Sequence, residues 1–384
     1  MNTDSPALDE FIRDTIRTRG PQSFAWFMEQ ALYHPKHGYY SSGRASIGRR
    51  GDYFTSVSVG PLFGQLLAAQ FAQMWERLDQ IDNFVIVEQG AHHGDFARDV
   101  LGSARKRWPE FFTALRYRIV EPSSILQDRQ SQALAEYEGK IEWRDSIDAL
   151  EPFTGVHFSN ELLDAMPVHL ICSRGPVAGA TAESQWNEIF VGWCNDQFIF
   201  VEQPTTEARL ANLPVQPAGY EAEINLTALD WIDNLSSKLQ RGFVLVVDYG
   251  LARGESYASH RTHGTLQVRA QHRHLASPFE QIGCADITAH VDWTSLAERA
   301  EVRGLRVHGF TDQHHFITGI ISGLAALPQD SKTKRALQTL LHPEMLGRAF
   351  QVLALAKDVD RVAPPLVGFK FARDARVVLA FQVV

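Results

Sequence analysis

Cysteine is scarce in this chain. Cys172, Cys194 and Cys284 are the only three in 384 residues, they lie far apart, and no CxxC pair occurs. An odd and dispersed set excludes a disulfide framework and a thiolate zinc site. Long apolar runs are also missing: no segment approaches the roughly 18–20 residues that span a bilayer. Hydrophobic residues nevertheless make up 45% of the chain, enough for a substantial core. The opening "MNTDSPALDEFIRDTIRTRG" carries Asp4, Asp9 and Glu10 and no apolar stretch, unlike a secretory signal or an Arg-rich mitochondrial presequence. A cytoplasmic location is the expectation. Cationic excess is absent too. A formal net charge of -8 argues against binding nucleic acid through its phosphates. The Arg- and aromatic-rich "YYSSGRASIGRRG" sits in no RNA-binding pattern, so nucleic acid is not an expected partner.

What is present is a rhythm. Helical patterning runs through residues 6–32, broken at Gly20-Pro21, and resumes in "PLFGQLLAAQFAQMWERL" from Pro61. From Phe84 onward, apolar strands alternate with helices: "FVIVE", a helix near 95–107, "YRIVE", a helix near 123–137, "IEW", "GVHFSN" and "GFVLVVDYG". Such alternation predicts a mostly parallel sheet with helices on both faces. "WNEIFVGW" and "QFIFVEQ", separated by Cys194-Asn195-Asp196, read as a β-hairpin within an antiparallel insertion. The closing "ARVVLAFQVV" reads as a last strand. The expected segmentation is 1–80 (helices and a covering loop), 81–167 (first part of the core), 168–220 (insertion) and 221–384 (remainder).

Ligands of open α/β sheets bind beyond the carboxyl ends of the strands. "VEQGAHHGDFARDVL" places Glu88, Gly90, His92 and Gly94 at such a strand end. The spacing is G-x-x-x-G rather than the dinucleotide G-x-G-x-x-G, so a cofactor loop and a purely structural turn both fit. Glu121 ends the second strand, where an acid can accept from both hydroxyls of a ribose; a helix-start acid before Pro122 is the plainer reading. Trp143 and Asp145 follow the third strand and offer a flat ring and an acid to an adenine, or an ordinary core residue and its neighbour. No His-carboxylate spacing suits a metal, and His92 and His93, being adjacent, are expected to point in different directions.

Here the chain resembles the MidA-type S-adenosyl-L-methionine-dependent methyltransferases, a family that includes a mitochondrial complex I assembly factor methylating an arginine. The resemblance rests on "IGRRGDYFTS", "VEQGAHHGDFARDVL", "VEPS", "SNELLDAMPVHL", "VLVVDYG", "GTLQ", "ADITAHVDWTSLAE" and "GFTDQHHFI", in family order over nearly the whole chain. It implies a Rossmann-like class I methyltransferase sheet with N-terminal helices and an antiparallel β insertion. It implies S-adenosyl-L-methionine as cofactor, with the Gly90–Gly94 loop facing its methionine part and Glu121 its ribose. Arg49, Gly51 and Asp52 would fold over the cofactor mouth. Asn160, Glu161 and Asp164 would line the methyl-transfer site, with His290 and Asp292 facing the same pocket. His92-His93 depart from the family's glycine-rich loop.

The expected activity is methyl transfer to a protein side chain, arginine by family analogy, without a metal. Carboxylates can hold a guanidinium and accept the released proton. Glu161, expected to orient the acceptor, and Asp164 are three apart, hence on neighbouring faces of a helical or tightly turned segment. Two alternatives remain at this stage: methylation of a small molecule, and a cofactor-binding assembly factor without turnover. A homodimer through the N-terminal helices or the hairpin is also open.

Overall fold

The computed structural model describes residues 5–42, 55–175, 186–210, 213, 216–271, 273–325, 330–360 and 362–381. Two compact units make up the chain: Met1–Tyr53 with Leu163–Asp230 and Arg253–Asp292, and Phe54–Leu162 with Trp231–Ala252 and Trp293–Val384. This division differs from the four sequence segments. The insertion 168–220 shares its unit with the N-terminal helices and with 253–292, while the helix at Leu62–Arg77 belongs to the other unit.

The second unit holds a seven-stranded path of β1 (Phe84–Gln89), β2 (Leu115–Val120), β3 (Ile141–Arg144), β4 (Phe153–Asn160), β5 (Leu239–Leu251), β6 (Arg306–Asp312) and β7 (Phe350–Lys357). Their spatial order is β3-β2-β1-β4-β5-β7-β6. The pairs from β3 through β5 are parallel, and β7 runs antiparallel to both β5 and β6. Parallel strands covered on both faces carry continuous apolar runs rather than alternation. "FVIVE" and "FVLVV" show this, with every residue from Phe84 to Glu88 and from Phe243 to Val247 buried. Helices α1 (Leu62–Arg77), α2 (Asp95–Arg107) and α3 (Ser124–Ala133) belong to this unit. In α1, Phe63, Leu67, Phe71, Met74 and Trp75 recur at helical spacing and are buried. Phe158 of β4 stacks on Phe96 of α2 with centroids 4.4 Å apart and meets Phe71 of α1 edge-on at 5.8 Å.

Of the expected closing strand at 375–384, the described residues 375–381 form no strand. Ala375–Val378 form a single helical turn capped by the Asp374 side chain, which accepts from the Arg376 N–H. Val377 is exposed, whereas Leu379 is buried and its carbonyl accepts from Thr294. β-Branched composition suggested a strand, but the local cap sets the turn, and "FQVLALAK" supplies the strand β7 instead.

In the first unit, helices Pro6–Arg19 and Phe24–Tyr33 accompany an antiparallel sheet. Its longest members, Trp186–Cys194 and Gln197–Pro204, form the expected hairpin. Asn195 and Asp196 take φ of 49° and 58°, the left-handed pair that a two-residue hairpin turn needs. A three-stranded antiparallel sheet of Gln267–Ala270, Arg273–His274 and Asp286–Thr288 completes the unit.

Phe158→Ala removes the ring shared by α1, α2 and β4. It is expected to destabilise the protein by about 3–5 kcal/mol, read as a lower urea midpoint with unchanged slope. A loss below about 1 kcal/mol would contradict this packing.

Candidate functional site

Because β1 to β5 are parallel, their carboxyl ends share one edge, with the switch in strand order between β1 and β4. Gln89, Glu121, Arg144 and Asn160 sit at or just beyond four of those ends. The loop after β1 turns on Gly90 and Gly94, with φ of 82° and 81°. A Cβ at Gly94 would lie 3.2 Å from Leu134, so this glycine also lets the start of α2 approach the end of α3. His92 is left-handed as well, with φ 47°. That conformation folds the two histidines together: their rings lie 3.7 Å apart at 48° instead of diverging as adjacent side chains in a regular turn would. Burial, with Arg129 nearby, depresses the His93 pKa against the pull of Asp95. Among the described residues no group of three His, Cys, Asp or Glu is arranged to hold a metal.

Glu121 is buried, 7% exposed. Its Oε1 accepts from the Ser123 N–H at 2.9 Å and its Oε2 from Gln130 Nε2 at 3.2 Å. Burial raises its pKa, and these two hydrogen bonds pull the other way. Each carboxylate oxygen has two lone-pair sites, so each retains capacity for one further donor. Trp143 is half-buried, and its indole N–H donates to Gln130 Oε1 at 2.9 Å. Asp145 is exposed and accepts from Gln127 Nε2, which also donates to the Glu121 carbonyl. Spacing offered a signal for these two glutamines. Gln127 and Gln130 are three apart on α3, beside the buried Leu126, on the helix that starts at the Glu121 strand end.

Beyond β4 the chain turns without becoming helical, so Glu161 and Asp164 are not helix neighbours. Glu161 has φ of 53°, a left-handed conformation that a glutamate adopts at a cost. The turn is clamped by β5: the Glu161 N–H donates to the Val247 carbonyl, and the Leu162 N–H to Asp248 Oδ2 at 3.1 Å. Asp248 is fully buried, and its Oδ1 accepts from the Tyr249 N–H. Asn160 Nδ2 donates to Glu161 Oε1 at 2.7 Å, while Asn160 Oδ1 is buried with no hydrogen-bond partner among the described residues. The end of β4 and the residue after it thus contribute a carboxylate and an amide oxygen, both acceptors.

Asp164, His290 and Asp292 belong to the first unit, where the structure brings two of their segments together. The Asp164 carbonyl accepts from the Ala289 N–H, and the His290 N–H donates to Thr265 Oγ1 at 3.0 Å. Thr265 in turn is held by Glu223, whose carboxylate accepts from the N–H groups of Thr265 and Leu266 and from the Thr265 hydroxyl. Burial lowers the His290 pKa, and Arg261 adds to the effect. Asp292 is partly exposed. Arg49, Gly51 and Asp52 lie outside the described residues.

A family model described as "Putative S-adenosyl-L-methionine-dependent methyltransferase" matches residues 66–311. The chain is 27% identical to the mitochondrial "Protein arginine methyltransferase NDUFAF7 homolog" of Drosophila melanogaster, over 94% of this chain and 88% of that protein. To the human protein arginine methyltransferase NDUFAF7 it is 26% identical, over 94% and 85%. A Burkholderia thailandensis protein bound to S-adenosyl-homocysteine in its crystal superposes with a TM-score of 0.85 at 29% identity, covering 97% of this chain and 96% of that one.

Glu88 turns inward. It is 3% exposed, and its Oε2 accepts from the buried Tyr117 hydroxyl at 2.6 Å. Burial lifts its pKa from 4.5 to about 7, against the Tyr117 hydrogen bond. The folded state thus holds this proton more tightly than the unfolded chain. Stability falls as pH rises from about 4.5 to about 7 and stays lower beyond. Glu88→Gln keeps the shape and an acceptor for Tyr117 without the charge. It is expected to melt higher than wild type at pH 8, by on the order of 2–4 kcal/mol of stability, and to match it at pH 5. A variant less stable than wild type at pH 8 would contradict the assignment.

Proposed function

Because the chain belongs to the MidA-type family of S-adenosyl-L-methionine-dependent methyltransferases, we propose that it methylates a guanidinium nitrogen of a protein arginine. The observation that carries this reading is the pair of acceptors beyond β4, Glu161 Oε1 and the unpartnered Asn160 Oδ1. A guanidinium has five N–H donors and no acceptor, so it complements a carboxylate and an amide oxygen. The names of the curated relatives favour the same acceptor group.

The residues present fit the family's cofactor. Glu121 keeps one acceptor site on each oxygen, suited to two neighbouring ribose hydroxyls. Trp143 has its indole edge tied down and is half-buried, suited to a flat base. The exposed Gly90 leaves backbone without a side chain beside the strand end. When bound, S-adenosyl-L-methionine would supply an electrophilic methyl on a sulfonium, with the neutral thioether as leaving group.

The chain's own residues then have two tasks. A charged guanidinium is a poor nucleophile because its lone pairs are delocalised. The Glu161 carboxylate holds the charge toward itself, which leaves more electron density on the attacking nitrogen. As the N–C bond forms, that nitrogen becomes acidic, and its proton passes to the Glu161 carboxylate or to water. Alignment of nitrogen and methyl supplies much of the remaining rate. A fixed turn serves alignment, and the Asp248 clamp with the Val247 hydrogen bond provides one.

Calorimetric titration with S-adenosyl-homocysteine, and methyl transfer to arginine peptides, test the two parts separately. Glu121→Ala is expected to weaken binding about tenfold or more. In wild type, affinity should fall as pH is lowered, because burial has raised the Glu121 pKa and protonation removes an acceptor. Glu161→Gln should slow transfer by about a hundredfold or more while sparing cofactor affinity. Equal loss of both by Glu161→Gln would refute its role, and a wild type that binds no S-adenosyl-homocysteine would refute the whole reading.

A further inference from the structure

Gln130 is fully buried on α3, yet its carboxamide touches three separate strand-end elements. Nε2 donates to the carbonyl of the left-handed His92 at 2.9 Å and to Glu121 Oε2 at 3.2 Å. Oε1 accepts from the Trp143 indole N–H at 2.9 Å. The orientation of the amide is fixed by its partners. An indole can only donate, while a backbone carbonyl and a carboxylate can only accept, so the oxygen must face Trp143 and the nitrogen the other two. Both amide hydrogens are used. Among the standard side chains of this length, only glutamine is neutral with two donors and one acceptor on one planar group. Glutamate would face Glu121 with a second charge, and leucine or methionine would leave three polar groups unpaired.

We propose that Gln130 is a positioning residue of the cofactor site, whose one carboxamide holds the loop after β1, the Glu121 carboxylate and the Trp143 indole in fixed register. This rests on the reading above, in which those three elements hold the adenosyl cofactor. Gln130 is fully buried and acts through the groups it holds. It turns one carboxylate oxygen inward and leaves the remaining lone pairs for a ribose, fixes the edge of the ring that would lie against a base, and anchors the loop at its most strained residue. Preorganisation of this kind lowers the cost of binding without adding a contact to the ligand.

The test is calorimetric titration of S-adenosyl-homocysteine into the full chain as wild type, Gln130→Leu and Gln130→Glu, at pH 6 and pH 8, with thermal melts of each. Gln130→Leu is expected to weaken binding about ten- to a hundredfold. Gln130→Glu should lose at least as much at pH 8, where two carboxylates face each other. At pH 6 its deficit relative to wild type should shrink several-fold, because the pair can share one proton. A merely structural role would give a deficit independent of pH. If Gln130→Leu fails to melt cooperatively, Gln130→Glu decides alone: a pH-dependent deficit supports the inference, and a pH-independent one overturns it. Wild type binding with both variants within about twofold of it would overturn the inference and leave the cofactor reading standing. Absence of binding by wild type would overturn that reading, and this inference with it.

Discussion

A buried carboxylate at the end of β2 is the constraint on which the rest of the site depends. Glu121 sits where water is largely excluded, and an ionised group there is costly unless it is hydrogen-bonded. The chain meets that cost with a backbone N–H two residues on and a glutamine from the following helix. The Ser123 bond ties the carboxylate to the start of α3, and the glutamine in turn holds the carbonyl of His92 and the indole of Trp143. One polar network thus links three consecutive strand ends of a parallel sheet. A fully connected network of this kind specifies a unique arrangement, whereas a half-satisfied one would be worse than an apolar core.

The turn after β4 uses a different device. There the backbone is strained at Glu161 and the strain is borne by neighbours, chiefly the buried Asp248 and the Val247 carbonyl of β5. Strain of this sort persists only when the surroundings over-determine it, and it concentrates at working sites. The apolar interior beneath is ordinary by comparison. Phe71, Phe96 and Phe158 form a close-packed seam between α1, α2 and the sheet.

Much of this was legible in the sequence. The runs "FVIVE" and "FVLVV" declared themselves as strands because strands buried on both faces must be largely apolar, and Asn195-Asp196 marked the hairpin because few residues tolerate its turn. What stayed hidden was either local competition or long-range pairing. At 375–378 a side-chain cap set the structure of a segment with strand composition. Gln130 lies in a polar helix, and nothing in the helix itself says that its buried side chain meets His92, 38 positions earlier, or Trp143, 13 positions later. Glu88 was placed at the ligand-binding strand end, but its carboxylate turns inward and accepts from Tyr117 of the neighbouring β2, two positions before its own register partner Ile119. His92 and His93 were read as diverging, and the left-handed backbone at His92 folded them together. Sequence spacing assumes a regular turn, and this loop is not one.

The central claim is that the Glu121 carboxylate, held as it is, receives the ribose of the adenosyl cofactor. A crystal structure of this protein soaked with S-adenosyl-homocysteine tests it directly. The account predicts both ribose hydroxyls within hydrogen-bond distance of the Glu121 carboxylate, with Gln130 still bonded to its second oxygen. A ribose bound elsewhere, or a Glu121 carboxylate rotated away from it, would contradict the account.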